Sequence, residues 1–270
     1  MTRKQFMSGA SAVVAGLTFP SFASDKRPFK VALLEGKSFF GGASASALKA
    51  KLCAGGFNVA LVDVQDGVVY PSHPEIATKN SMSPEKASAL IKGLKDGGIE
   101  VVPLLDFCTA RDSWLGVYDR MVCSKPYDAL VRDLLKDAYG IFGSPRFIHI
   151  GFSDEGRTQH PSGGYAVMRQ GDLWMRYLAK TSDWVKETGA RTWAWFDYPW
   201  GMKDFLADCP RDIVYSNLKP LTVRRNADRF MQVVKAGCDS VPFVRTDGDA
   251  VIVGKLPSSR VLGTLKEMTI

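Results

Sequence analysis

Short apolar runs alternate with longer amphipathic stretches along most of this chain. A continuous apolar run is typical of a strand that is buried on both faces, as in a parallel sheet. The runs predict eight strands, at residues 30–35, 58–63, 99–106, 146–151, 192–197, 213–217, 240–244 and 260–264. Helical periodicity between them predicts helices at residues 43–55, 83–97, 126–141, 168–188 and 222–236. This alternation of strand and helix indicates a parallel sheet covered by helices.

Two parallel architectures fit the alternation, a closed (β/α)8 barrel and a doubly wound open sheet. The turn after the first strand reads Glu35-Gly36-Lys37 and lacks the glycine fingerprint of dinucleotide-binding open sheets. Eight strands favour closure, and a TIM-type barrel usually needs about 250 residues. We therefore predict one α/β domain over residues 28–270, a (β/α)8 TIM-type barrel that lacks the last helix.

The first 23 residues have the composition of an export signal. Arg3 and Lys4 precede an apolar, small-residue stretch, and Ser21-Phe22-Ala23 offers small residues at the spacing that a signal peptidase needs. The start of the chain resembles a twin-arginine motif with Lys4 in place of the second arginine. The stretch is too short for a stable membrane span. Export, to the periplasm or the extracellular space, with removal of residues 1–23 is the resulting prediction.

Net charge and cysteine spacing indicate which kinds of partner and cofactor to expect. The formal net charge is +7, and it becomes +5 without the leader, with 33 basic and 28 acidic residues remaining. These basic residues are scattered among acids, so no nucleic-acid partner is predicted. The five cysteines do not fall at metal-ligand spacing, so neither a metal nor another cofactor is predicted. Cys108 and Cys123 could pair in an oxidising compartment, and the other interpretation is that the cysteines are small buried hydrophobes. The oligomeric state stays open.

Acidic residues mark the ends of the predicted strands. The first five strands each end in acidic residues, which are Glu35, Asp63, Asp106, the pair Asp154-Glu155, and Asp197. The sixth strand ends in Asn217. The carboxyl ends of the strands carry the active site in a TIM-type barrel. Helix capping explains two or three of these acids. It explains Asp106 and Asp197 less well, because loops that contain Trp114 and Trp200 follow them.

Aromatic residues accompany these acids. Alternation along the fifth strand gives Trp193, Trp195 and Asp197 one common face. Indole rings stack on the apolar C–H faces of sugars and carboxylates accept sugar hydroxyls, so this pairing favours a carbohydrate ligand. For Trp193 we favour core packing. For the larger cluster, a binding platform and core packing both stay open: Trp114, Trp195, Tyr198 and Trp200.

The remaining candidates are a histidine and an asparagine. His149 is the only histidine inside a predicted strand, where a hydrogen-bonded core histidine is the commoner case. A Ser-His-Asp triad lacks the Gly-x-Ser-x-Gly elbow that would support it. The candidate substrate-binding set is Asp106, Trp114, His149, Trp195, Asp197, Trp200 and Asn217.

Short motifs in this chain resemble those of the β-N-acetylhexosaminidases and their barrel relatives. The chain looks most like a divergent, exported bacterial branch of that superfamily. Residues 149–155, His-Ile-Gly-Phe-Ser-Asp-Glu, are similar to that family's His-x-Gly-Gly-Asp-Glu motif, and residues 102–106 to its third-strand Pro-Glu-x-Asp element. Trp195 falls where the family has a sugar-contacting tryptophan. The resemblance implies that Glu155 is the general acid and that Asp154 orients the acetamido group of the substrate. Such an acid needs its pKa raised by burial.

Departures from the family pattern leave two functions open. The fourth-strand motif is one residue longer, and Leu104 stands where the family has a glutamate. One extra residue reverses the faces of a regular strand, unless a bulge absorbs it. The first function is a glycoside hydrolase-like enzyme with Glu155 or Asp154 as the acid. The alternative is a catalytically degenerate barrel that binds a glycan without cleaving it. Metal-dependent hydrolysis by the same acids lacks the expected histidines.

Overall fold

The computed structural model describes residues 27–109, 111–153, 155, 169–196 and 202–270. The predicted export signal, Asp154, Asp197 and Trp200 lie outside these residues. Eight parallel strands form one sheet: β1 (Phe29–Glu35), β2 (Val59–Asp63), β3 (Glu100–Leu104), β4 (Phe147–His149), β5 (Arg191–Trp195), β6 (Val214–Ser216), β7 (Asp239–Ser240) and β8 (Gly263–Glu267).

The sheet closes on itself. Every strand from β1 to β6 pairs in parallel with the next one along the chain, and β1 also pairs with β8. Isolated parallel bridges join Ser240 to Val261 and Phe243 to Leu265, which brings the strand regions of β7 and β8 together. The nearly closed eight-stranded barrel confirms the predicted TIM-type fold and excludes the open-sheet alternative.

Helices cover the outside of the barrel. They are α1 (Gly36–Phe39), α2 (Ala45–Ala54), α3 (Pro84–Asp96), α4 (Lys125–Ile141), α5 (Asp172–Thr188), α6 (Met202–Asp208), α7 (Arg224–Lys235) and α8 (Asp247–Val253). Ser44, Ser83 and Ser124 cap the N-termini of α2, α3 and α4 with their side chains. The sequence predicted the five long helices and missed α1, α6 and α8, which are too short to show helical periodicity. No helix in the described ranges is long and apolar enough to cross a membrane.

The last two strands differ most from their predicted bounds. The seventh was predicted over residues 240–244, but β7 ends at Ser240, because Pro242 has no N–H for the strand ladder. The eighth strand begins at Gly263, three residues later than predicted, since residues 258–260 form a 3-10 turn. Gly263 lies directly against the backbone of Phe29, where any side chain would overlap it.

The barrel interior and its outer layer form two separate apolar cores. The interior cluster combines valines and leucines with four large aromatic side chains, those of Phe147, Trp193, Trp195 and Phe243. Trp193 Nε1 donates a hydrogen bond to Ser216 Oγ at 2.8 Å, which satisfies the buried indole. Trp193 is therefore a core residue, in agreement with the interpretation of the sequence.

The cysteines are arranged differently from the suggested pairing. No disulfide joins Cys108 to Cys123, and the buried thiol of Cys108 accepts a hydrogen bond from Ser153 Oγ at 3.1 Å. Cys123 is exposed, whereas Cys209 and Cys238 are buried with their sulfur atoms 4.0 Å apart. Within the part of the chain that the structure describes, no group of histidine, cysteine and acidic residues could hold a metal ion.

One buried carboxylate joins the loop before α7 to the loop before α8. Asp249 Oδ1 accepts hydrogen bonds from the amides of Leu221 and Thr222, and Oδ2 accepts from the amides of Arg245 and Thr246. The hydroxyl of Thr246 completes a capping box with Asp249. Burial raises the pKa of this carboxyl, but the hydrogen bonds outweigh it and hold the pKa below its usual value. Asp249 thus joins the segment before α7 to the start of α8.

We expect Asp249→Asn to lower the free energy of unfolding by about 2–4 kcal/mol near neutral pH, because one oxygen becomes an amide that cannot accept. The pKa of Asp249 is lower in the folded chain than in the unfolded chain, so the carboxylate stabilises the fold above about pH 4 and loses this effect at lower pH. Urea unfolding at several pH values measures the difference. Asp247→Asn, on the exposed first turn of the same helix, is the control. Equal effects of the two substitutions would contradict this account.

Candidate functional site

A pocket of about 300 Å³ opens at the carboxyl ends of the strands. Four acidic side chains and one guanidinium supply its charged groups: Glu35, Asp63, Asp106, Glu267 and Arg111. Its apolar surface includes Leu33, Leu104, Trp195 and Leu218. The pocket therefore combines the acids that end β1, β2 and β8 and follow β3 with an indole from β5.

Asp106 is the most enclosed of these acids. Its Oδ2 lies 2.7 Å from Arg111 Nη2, and its Oδ1 accepts a hydrogen bond from the amide of Cys108 at 3.2 Å. Burial raises the pKa of Asp106, and the positive charge of Arg111 opposes that effect. Gly151 packs against this side chain with φ of +75°, and a Cβ there would overlap the carboxyl group. The glycine in the fourth-strand motif thus leaves room for Asp106.

Asp63 forms the adjacent wall of the pocket. Its Oδ2 accepts a hydrogen bond from Gln65 Nε2 at 3.1 Å, and its Oδ1 is buried without a hydrogen-bond partner among the described residues. Burial raises the pKa of Asp63 to about 7, the negative charge of Asp106 contributes to the rise, and Arg111 opposes it. At neutral pH a large fraction of Asp63 is therefore a carboxylic acid.

The backbone near Asp63 is held in an unusual conformation. Gln65 has φ of +42°, in the left-handed region that costs a residue with a side chain about 1–2 kcal/mol. The hydroxyl of Tyr70 donates to the carbonyl of Gln65 at 2.9 Å and holds the turn. This strained turn directs the amide of Gln65 to one oxygen of Asp63 and leaves the other oxygen without a partner among the described residues.

Glu155, the predicted general acid, lies away from the pocket in a buried ion pair. Arg169 pairs with it through Nη2, and Arg169 Nε lies 3.0 and 3.1 Å from its two oxygens. The amides of Thr109 and Arg169 donate to the same two oxygens, at 3.2 and 2.9 Å. Neither residue of the pair is exposed to solvent. Both carboxylate oxygens are thus occupied by protein donors, and Glu155 is not among the residues that line the pocket.

Arg169 was missed in the sequence. Its guanidinium lies 4.4 Å from the ring of Phe152 and 5.3 Å from that of Tyr177, and Nη2 also donates to the carbonyl of Phe107. Arginines are seldom buried, and this one has no motif around it that would mark it as an exception. Only its contacts in the folded chain, with Glu155 and with the carbonyl of Phe107, reveal its position.

His149 and Trp195 form the layer beneath the pocket. The amide of Gly151 donates to His149 Nδ1 at 3.1 Å, so the ring carries its proton on Nε2. Burial lowers the pKa of His149 well below its usual value, so the ring is neutral. The rings of His149 and Trp195 lie 4.4 Å apart. His149 Nε2 and Trp195 Nε1 are both buried, and neither has a hydrogen-bond partner in the described ranges.

Two other predicted substrate contacts are packed and hydrogen-bonded outside the pocket. Trp114 is buried against Tyr70 and Phe107, and its Nε1 donates to the backbone carbonyl of Asp106 at 3.2 Å. Asn217 exchanges hydrogen bonds with the backbone of Phe243, at 2.8 and 3.2 Å. Neither side chain lines the pocket. Of the seven predicted substrate contacts, the pocket contains Asp106 and Trp195, and His149 packs against Trp195.

Comparison with known proteins gives a likeness of fold. No family model and no curated protein matches this chain. The GH20 exo-β-N-acetylglucosaminidase from Vibrio harveyi, solved with N-acetylglucosamine, superposes with a TM-score of 0.63 at 14% identity, over 90% of this chain and 50% of that one. The Flavobacterium johnsoniae chitobiase superposes with a TM-score of 0.65 at 14% identity, over 90% of this chain and 45% of the chitobiase. The GH20 β-N-acetylhexosaminidase from Streptomyces coelicolor A3(2) superposes with a TM-score of 0.65 at 12% identity, over 90% of this chain and 60% of that enzyme.

This chain spans about half the length of the first two structures. At these identities the likeness establishes the barrel fold. The resemblance that the fourth-strand motif implied is thereby confirmed at the level of fold, whereas the roles of Glu155 and Asp154 stay predictions.

We expect Glu155→Gln to lower the free energy of unfolding by about 3–5 kcal/mol, because it leaves the buried charge of Arg169 uncompensated. The matched control is Glu187→Gln, which removes an exposed ion pair with Arg132 at 2.7 Å and should cost less than about 1 kcal/mol. Urea unfolding followed by circular dichroism measures both variants. Coincident unfolding curves for the Glu155 variant and the unaltered protein would contradict a structural role for this pair.

Proposed function

We propose that this chain binds a carbohydrate in the pocket at the carboxyl ends of its strands. One observation carries the proposal: the side chains of Asp63, Asp106, Arg111 and Trp195 line a single cavity of about 300 Å³. Carboxylates and a guanidinium exchange hydrogen bonds with sugar hydroxyls, and the apolar part of the cavity suits the C–H face of a sugar ring. The volume lies at the lower end of the range for ligand pockets and suits one or two sugar rings.

Charge favours particular sugars within this class. The pocket has four carboxyl groups and one guanidinium. A negatively charged ligand would be repelled by the carboxylates. We therefore expect neutral sugars and amino sugars to bind better than uronic or sialic acids. Because the structurally similar Vibrio harveyi enzyme was solved with N-acetylglucosamine, this sugar and its short β-linked oligomers are the first ligands to test.

The binding function does not depend on the acid that the family motif implies. Glu155 lies in an ion pair with Arg169, and its two oxygens accept hydrogen bonds from protein groups. Of the two functions that the sequence left open, glycan binding thus needs no rearrangement of Glu155. Hydrolysis of a bound glycoside is the second candidate, and one observation favours it: the pocket contains Asp63, a carboxyl group that is partly protonated at neutral pH.

We also propose that residues 1–23 direct export, which would bring the barrel to glycans outside the cytoplasm. The basic pair Arg3 and Lys4 before an apolar stretch supports this step. N-terminal sequencing of the protein purified from its native host should find a first residue of Ser24. A cytoplasmic protein that retains Met1 would overturn the proposal.

Carbohydrate binding is testable with two tryptophans of one strand. Trp195→Phe keeps the apolar surface but removes the Nε1 donor at the pocket, and we expect it to weaken binding of N-acetylglucosamine oligomers about tenfold. Trp193→Phe is the matched control, since Trp193 lies two residues earlier and does not line the pocket. Isothermal titration calorimetry measures both. The proposal fails if the unaltered protein binds none of a panel of neutral and amino sugars, or if the two variants lose affinity equally.

A further inference from the structure

The pocket contains a carboxyl group that is equipped to donate a proton. We propose that Asp63 is the general acid of a glycoside hydrolysis reaction in this pocket, the role that the sequence motif would give to Glu155. This inference rests on the proposed carbohydrate binding and adds a catalytic residue to it. Its basis is the geometry of Asp63, which ends β2, lines the pocket and has a buried oxygen without a partner in the described part of the chain.

The first step of the argument concerns the unpartnered oxygen. A buried polar atom without a hydrogen bond is unfavourable unless a ligand or a proton satisfies it. Gln65 Nε2 can donate to Oδ2 whether Asp63 is charged or neutral. Oδ1 is therefore the atom that can hold the proton, and it belongs to a residue of the pocket wall. A carboxylic acid in this position has an O–H available for an oxygen of the ligand.

The second step concerns the division of charge between two acids. Arg111 lies 2.7 Å from Asp106, so the negative charge is stabilised on Asp106 and the proton on Asp63. The other titratable groups that act on Asp63 are Glu35 from β1 and Tyr70 from the loop after β2. Burial and the nearby acids raise the pKa of Asp63 to about 7, against the opposing charge of Arg111. Two carboxyl groups with different protonation states are what acid–base catalysis requires.

The third step is an independent sign that the pocket takes a ligand. Trp195 is 1% exposed and lines the pocket, and its Nε1 donor is buried without an acceptor in the described residues. A buried indole N–H usually has a hydrogen-bond partner. The wall thus offers a carboxylic acid and the floor offers an N–H donor, and oxygen atoms of a glycoside can accept from both.

The reaction uses the bound glycoside, water and these two acids. The Asp63 proton moves to the glycosidic oxygen as the bond from that oxygen to the anomeric carbon breaks, and the bonding electron pair stays with the oxygen. A water oxygen bonds to the anomeric carbon, and its proton passes to the Asp106 carboxylate. Exchange with solvent then returns a proton to Asp63 and removes one from Asp106. The sum is hydrolysis, with water as the co-reactant.

The test measures turnover of 4-nitrophenyl glycosides, the N-acetyl-β-glucosaminide included. Asp63→Asn should lower kcat about 10²- to 10⁴-fold with little change in KM, because the amide binds like the acid but has no proton to donate. The loss should be smaller for 2,4-dinitrophenyl glycosides, whose leaving group needs less protonation. The unaltered protein should lose turnover as the pH rises through about 7, and the variant should lack this limb.

Two further variants separate catalysis from folding. Asp63→Glu should recover part of the lost turnover, because it restores a carboxylic acid with a longer reach. Asp66→Asn should leave turnover unchanged, since this neighbouring acid does not line the pocket. A merely structural role for Asp63 would change neither the leaving-group dependence nor the pH profile.

The outcomes distinguish this inference from the proposed function. Absence of carbohydrate binding in calorimetry would overturn both. Binding without turnover of any glycoside in the panel would overturn the catalytic role and leave the binding function intact. Equal turnover for Asp63→Asn and the unaltered protein would also overturn it, most directly if a folded Glu155→Gln variant is inactive. Loss of the pH limb together with the leaving-group effect would establish Asp63 as the acid.

Discussion

Closure of a parallel sheet is the constraint on which the rest of this molecule depends. Because all eight strands run in one direction, their carboxyl ends meet at one rim, and the acids of three strand ends and of the loop after β3 gather there. Closure needs a filled interior, and the interior aromatic cluster with Trp193 and Trp195 supplies it. The same packing that closes the barrel therefore gives the pocket its floor. Core and site are adjacent layers of one structure.

Two arginines decide which of the gathered acids is available for chemistry. Arg169 occupies Glu155 completely, and Arg111 stabilises the charge of Asp106. Asp63 forms no ion pair within the described ranges, and burial raises its pKa towards neutrality. Carboxyl groups of similar intrinsic acidity thus differ in pKa because each has a different cation, or none, beside it. The placement of positive charge therefore determines which of these acids carries a stabilised negative charge.

The buried ion pair accounts for the position of Glu155 outside the pocket. Two buried charges are tolerated only when they are paired and their remaining hydrogen-bonding groups are satisfied. The pair of Glu155 and Arg169 meets much of this requirement, with donors from Thr109 and from Arg169 itself. A glutamate held in this way links the segment after β4 to the segment before α5. Within the described structure, Glu155 is part of this ion pair and does not line the pocket.

The sequence by itself determined the fold class and the rim that carries the pocket. Apolar runs separated by helical periodicity predicted the barrel, and the acids at the strand ends predicted which rim carries the pocket, because both signals are local and recur along the chain. Asp106 and Trp195 were identified in this way. The tertiary structure alone decided which acid each arginine meets, since Arg111 and Arg169 reach Asp106 and Glu155 through contacts that no local pattern encodes. It likewise placed Trp114 and Asn217 outside the pocket, where they form hydrogen bonds with the backbone of Asp106 and Phe243. The protonation of Asp63 depends on burial and on neighbours from other strands, and therefore only the folded chain determines it.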